Sequence, residues 1–195
     1  MQSLSITAIV RTPNTDEVWV AMALDAGADG VLVPYCETVD EVRHTAIKAK
    51  THPLKGEYYE KVVATGEYPS EKSEKYLNNR HKDRIFIMGI ESEPAANRVE
   101  ELIECAPIDA VFIGPNDMTT SLGIPDEVDN PIYIDTLSKI IKAADDRGLP
   151  TMIHQQTIST SAKAIELGAR FIMHSSDAGI LLRGTQDEFA ELRKI

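Results

Sequence analysis

The feature that most constrains this chain is a repeated alternation of a short, nearly all-apolar segment with a longer amphipathic one. Ile6 to Val10 is followed by Asp16 to Ala26, where Val18, Met22 and the Trp19/Ala23 neighbours recur at helical spacing before Gly27. Gly30 to Pro34 precedes a helix opened by Thr38, with Glu41 three residues on as a capping partner, and running to about Lys50. The pattern returns as Ile85–Ile90 then Pro94–Glu104, and as Ala110–Ile113 then Pro131–Arg147. It closes with Thr151–Ile153 then Thr157–Leu167, and Arg170–Met173 then Asp177–Lys194. Strands that are apolar throughout, rather than alternating, suit a parallel sheet covered on both faces. Six such units imply either an open doubly wound sheet or part of a (β/α)8 barrel.

One stretch, 51–84, breaks the rhythm. It is polar and rich in Lys, Glu and Tyr, and is read as an excursion on one rim with a helix around Ser70 to His81. No low-complexity tract or Pro/Gly/Ser linker divides the chain, so residues 1–195 are expected to form a single domain. A net charge of −11 argues against a nucleic-acid partner, whose phosphates reward clustered Lys and Arg. No apolar run is long enough for a bilayer, and the opening MQSLSITAIVRTP lacks the basic-then-apolar pattern of a secretory leader. Cys36 and Cys105 stand in unrelated contexts, which gives neither a disulfide framework nor a thiolate zinc pattern. A cytoplasmic location is the default expectation.

In both architectures the ligand lies at the carboxyl ends of the strands, so polar residues there carry the chemistry. Those positions hold Arg11, Pro34-Tyr35, Glu91-Ser92, Gly114-Pro115-Asn116-Asp117, His154-Gln155-Gln156 and His174-Ser175-Ser176-Asp177. Glu91 follows IFIMGI, where a carboxylate is costly to bury unless it is paired or holds a metal; a helix N-cap role is the alternative. Asp117 is open to the same two readings. Two acids ending neighbouring strands would supply hard oxygen ligands for Mg2+ or Mn2+. Arg11 could grip a carboxylate, or pair with a loop acid. The Gly114-Pro115 turn could aim backbone N–H groups at an anion. Asp25 ends a helix, where the dipole disfavours its charge, so a specific donor is expected beside it. His44, His52 and His81 are expected in solvent. His154 and His174 are better placed, although a satisfied core histidine is the commoner outcome.

Five stretches in order, VRTP, LDAGADGVLVPYCETVDEV, GIESEPAANRVEEL, AVFIGPNDMTTSLGIP and GARFIMHSSDAGILL, resemble the HpcH/HpaI aldolase/citrate lyase family from about Ile6 onward. The resemblance implies a (β/α)8 barrel and a class II aldolase acting on a 2-oxo-3-deoxy or hydroxy-oxo acid to give pyruvate and an aldehyde through a metal-bound enolate. It makes Glu91 and Asp117 the ligands of a divalent metal, Mg2+ or Mn2+. Arg11 becomes the group holding the oxoacid and stabilising the enolate, the amides of Asn116 and Asp117 take its carboxylate, and Asp25 is the acid that orients a histidine base. It also implies a homo-oligomer, since the family forms hexamers from dimers with exchanged C-terminal helices.

Two departures bear on function. The family carries two further strands before VRTP, the second ending in the histidine that partners the Asp25 position. This chain is therefore expected to form an incomplete barrel of about six βα units without that histidine. The family's arginine after a Pro-x-x-Gly turn is replaced in Pro53-Leu54-Lys55-Gly56-Glu57. The alternatives are accordingly a working aldolase, or a metal- and oxoacid-binding chain of weak turnover that assembles with a complete paralogue. An unrelated phosphate-binding sheet is disfavoured because no Gly-rich strand-to-helix loop is present.

Overall fold

The structure is a computed structural model and describes residues 6–195. Reading of the first five residues as free of a leader lies outside the described residues. The described residues form six strands: β1 (Ile9–Arg11), β2 (Gly30–Val33), β3 (Ile85–Ile90), β4 (Ala110–Ile113), β5 (Thr151–Gln155) and β6 (Phe171–His174). All pair in parallel, each with the next in sequence, in the order β1-β2-β3-β4-β5-β6. A doubly wound sheet must reverse strand order at a switch point. Among the described residues none occurs, so successive crossovers wind in one direction and the sheet curls as an incomplete (β/α)8 barrel.

The helices between strands are α1 (Glu17–Asp25), α2 (Val39–Thr51), α3 (Gly56–Thr65), α4 (Glu71–His81), α5 (Glu93–Asn97), α6 (Val99–Glu104), α7 (Pro115–Ser121), α8 (Pro131–Asp145) and α9 (Ile158–Glu166), with α10 (Asp177–Leu192) last. Their starts are set locally. Asp16 accepts the Val18 N–H, and Thr38 and Glu41 form the reciprocal capping box that their spacing predicts. The Pro94–Glu104 helix is split at Arg98 into α5 and α6.

Residues alternate across the strands and divide the apolar core into two layers. Val31, Val33, Phe86, Met88, Ile90, Val111, Ile113 and Ile153 face the helices, packing with Val42 and Ala46 of α2, Leu102 of α6 and Leu137 and Ile140 of α8. Leu32, Ile87, Ala110, Phe112 and Met152 form the smaller inner layer. Burial on both faces holds for β2, β3 and β4, where every residue but Ile85 is buried. It fails at the edges: β1 and β6 contain no buried residue. Each edge strand pairs on one side among the described residues, leaving backbone donors and acceptors open on the other.

The excursion 51–84 is helical rather than irregular. It holds the expected α4, capped by Ser70, and also α3, which Tyr59 and Val62 anchor. Sequence periodicity missed α3 because only those two side chains are buried in it. The placement of the histidines here needs correction. His52 and His81 are both buried, not solvated, whereas His44 is partly exposed beside Glu60. The polar neighbours of His52 and His81 in sequence concealed that α2 and α4 pack against each other at their ends.

Candidate functional site

The inward parity that carries Ile9, Ile85, Ile87, Ala110 and Phe112 continues beyond each strand to place Arg11, Glu91 and Gly114 on the inner face at the carboxyl ends. Glu91 is 3% exposed and sits between two donors. Its Oε2 accepts the Tyr35 N–H at 3.0 Å, and its Oε1 lies 3.6 Å from Arg11 Nη2. Tyr35 adopts a left-handed backbone, φ 59°, and its ring lies 5.4 Å from the Arg11 guanidinium carbon. Burial pushes the Glu91 carboxyl above its ordinary range, Asp117 adds to this, and Arg11 and the Tyr35 amide offset it only in part. The pocket thus holds a carboxylate short of positive charge.

Asp117 arrives from the adjacent strand end. Gly114 caps α7 and Pro115 occupies its first turn, where the missing N–H costs nothing. The first intrahelical bond runs from the Met118 N–H to Gly114 O, so the Asn116 and Asp117 N–H groups have no acceptor within the helix. A side chain at Gly114 would lie 2.5 Å from Glu91 Oε1 and 3.3 Å from Asp117 Oδ2. Both acids therefore converge over the space that glycine leaves empty. Around them opens a cavity of about 500 Å3, shared by Arg11, Asn116, Asp126, His154, Gln156 and Thr160.

The structure brings together Arg11, Glu91, Asn116 and Asp117, and it does not bring Asp25 to them. Helix α1 starts beyond the Arg11 end of β1 and runs back, so Asp25 lies toward the amino ends of the strands. There Asp29 accepts from the Ala8 N–H and the Ile85 N–H. The donor expected beside Asp25 is present: His52 Nε2 at 2.8 Å from Oδ1. His81 Nε2 in turn donates to the His52 carbonyl, and the Nδ1 atoms of both rings are buried without a partner among the described residues. No signal in the sequence linked Asp25 to His52, which stands twenty-seven positions away at the end of another helix. Likewise Tyr35 was visible as a strand-end residue without a role, and nothing marked Asp126, which follows no strand.

The bond from His52 holds the Asp25 carboxyl below its usual range. A depressed acid stabilises the fold above its unfolded value and loses that contribution as pH falls through the folded one. Asp25→Asn should therefore lower the melting temperature slightly between about pH 5 and 7, and the deficit should shrink toward pH 2. Thermal melts of both proteins across that range check this; a deficit that persists undiminished at the acid end counts against the pairing.

The residues present suit a hard divalent cation. No cluster of three or more His, Cys, Asp or Glu that could hold a metal occurs among the described residues. Two converging carboxylates with water or substrate oxygens filling the remaining positions is nevertheless a usual arrangement for Mg2+. Cys36 is excluded as a ligand, being fully buried with a thiol pushed up to about 12.

Comparison with known proteins agrees with this fold. The profile of the family described as HpcH/HpaI aldolase/citrate lyase matches residues 1–182. The hydroxypyruvate/pyruvate aldolase of Sagittula stellata is 29% identical over 181 residues, covering 90% of this chain and 69% of the relative. The 5-keto-4-deoxy-D-glucarate aldolase of Salmonella arizonae is 26% identical over 182 residues, covering 91% and 69%. Among solved structures, an HpcH/HpaI aldolase/citrate lyase family protein from Burkholderia cenocepacia superposes with a TM-score of 0.80 at 26% identity, over 96% of this chain and 74% of that one. With the ordered motifs, the consecutive parallel strands and the profile match in accord, this chain belongs to the HpcH/HpaI aldolase/citrate lyase family.

Proposed function

We propose that the chain is a divalent-metal-dependent aldolase that cleaves or forms a 2-oxo-3-deoxy or hydroxy-oxo acid, with pyruvate as the oxoacid product. The observation that carries this is the convergence of Glu91 and Asp117 over Gly114, with Arg11 beside them. The aldolase names of the relatives support it. Glu91 and Asp117 would hold Mg2+ or Mn2+, which as a Lewis acid polarises the oxo group when bound. Arg11 holds the oxoacid and offsets negative charge developing on its C2 oxygen. Asn116 and Asp117 present their N–H groups to the carboxylate from the first turn of α7. Release of pyruvate from a panel of hydroxy-oxo acids, assayed with Mg2+ and with Mn2+, tests the reading. Turnover on any member that chelation abolishes is the expected result, and metal-independent cleavage would overturn it.

A second reading, a binding chain of weak turnover that assembles with a complete paralogue, has one observation in its favour. Asp25 and its histidine partner lie away from the cavity. The same panel decides between them, since this reading expects metal-dependent pyruvate binding without cleavage.

Self-association accompanies either reading. The edges of β1 and β6 are open, and α10 has no buried residue, with Ile180, Leu181, Leu182, Phe189 and Leu192 all exposed. Apolar area of that kind is covered in a stable assembly. Light scattering should give a mass above that of one chain, and Leu181→Glu with Phe189→Glu should reduce it; a monomeric wild type would contradict this. The acidic surface and free cysteines fit a reducing cytoplasm.

A further inference from the structure

We infer that His154 is the base of this site, moving the proton at C3 of the oxoacid; the inference rests on the aldolase reading above. Strand β5 alternates Met152 in the inner layer with Ile153 in the helix-facing one. The next residue, His154, therefore faces inward, and it lines the cavity that Arg11, Glu91 and Asp117 share.

The bond to the Ser175 carbonyl selects the tautomer of the ring. Nε2 lies 3.1 Å from the Ser175 carbonyl oxygen, which can only accept, so the proton is on Nε2. The Gln156 side-chain amide, 3.3 Å from the same nitrogen, can share that proton only through its oxygen. Nδ1 is left as a lone pair with no partner among the described residues. The carbonyl that orients the ring is itself held in place. Ser175 is buried with a left-handed backbone, φ 59°. Its N–H donates to Gln155 O at 2.7 Å, and its hydroxyl accepts from Arg183 at 2.9 Å. A cavity-lining histidine whose Nε2 donates to a fixed carbonyl, with Nδ1 left without a partner among the described residues, is the arrangement a general base requires.

Among the described residues the other histidines do not line this cavity. His174 has the opposite parity on β6, and its Nδ1 is within 2.9 Å of Ser161 Oγ on α9, away from the cavity. His52 is paired with Asp25 toward the amino ends of the strands.

In the cleavage direction His154 Nδ1 takes the C4 hydroxyl proton of the hydroxy-oxo acid. The C4 oxygen forms the aldehyde carbonyl, the C3–C4 bond breaks, and its electron pair passes into the enolate on the C2 oxygen. The proton on His154 then goes to C3, which gives pyruvate and restores the neutral ring. Condensation is the reverse, and no other reactant is needed.

The partial reaction to measure is exchange of pyruvate methyl protons with D2O, followed by proton NMR in the presence of Mg2+. Wild type, His154→Gln, His154→Ala and His174→Ala should be compared, with pyruvate affinity measured in parallel. Glutamine keeps a donor for Ser175 but has no basic nitrogen, so exchange should fall roughly a hundred- to ten-thousand-fold in both His154 variants. Pyruvate affinity should stay within about threefold, and His174→Ala should exchange like wild type. Nitrogen-15 NMR of the metal-free protein should show the His154 ring protonated on Nε2. Exchange by His154→Gln at the wild-type rate, or a ring protonated on Nδ1, overturns the assignment while leaving the aldolase reading intact. A wild type that binds pyruvate and exchanges nothing overturns that reading, and the assignment with it.

Discussion

Glu91→Gln should reduce Mn2+ affinity by at least roughly a hundredfold, more than the ten- to hundredfold typical of losing an outer-sphere partner. Pyruvate release should fall about a thousandfold or more, because Lewis-acid stabilisation of developing charge amounts to several kcal/mol. The fold should survive. The glutamine oxygen can still accept the Tyr35 N–H, and the substitution removes a buried negative charge that Arg11, 3.6 Å away, compensates only in part. Metal-free Glu91→Gln should therefore melt no lower than wild type near neutral pH. Loss of metal affinity without loss of stability separates a binding role from a structural one. Calorimetric titration of Mn2+ together with thermal melts reads both; a variant that keeps its affinity, or that loses metal and stability together, contradicts the assignment.

Gly114→Ala should disable the same site without replacing a charged group. The backbone at Gly114, φ −92° and ψ 107°, is one that alanine adopts freely. In itself such a change raises stability by about 0.4–1 kcal/mol. The added methyl, however, would stand 2.5 Å from Glu91 Oε1 and 3.3 Å from Asp117 Oδ2. Those atoms are side-chain tips, so the fold yields by moving the carboxylates apart rather than by shifting β4. Metal affinity should drop about tenfold or more, since ligand geometry sets it, with the melting temperature of the metal-free protein unchanged or slightly raised. Unaltered affinity would show that the two acids do not act on one ion.

The order of elements was legible because apolar runs and helical spacing report burial directly. Glu91 stood out as a lone acid closing IFIMGI, and Asp117 as its counterpart just after the next strand. What remained hidden depends on contacts between distant segments. His52 looked solvated because it follows the Lys-rich last turn of α2, yet it is buried where α2 meets α4. The Asp25–His52 pair and the distance of Asp25 from the cavity follow from the direction in which α1 returns, which periodicity does not encode. His154 and His174 read alike as strand-end histidines. Only their parity in β5 and β6, and the carbonyl of Ser175, tell them apart.

On the proposed function, a divalent ion on Glu91 and Asp117 and an oxoacid held by Arg11 occupy one cavity. The most direct measurement is calorimetric titration of pyruvate into wild-type protein with and without saturating Mn2+. The account expects binding that is at least tenfold tighter with the metal and a metal-dependent gain that Glu91→Gln lacks. Equal affinity for pyruvate with and without Mn2+ would contradict it.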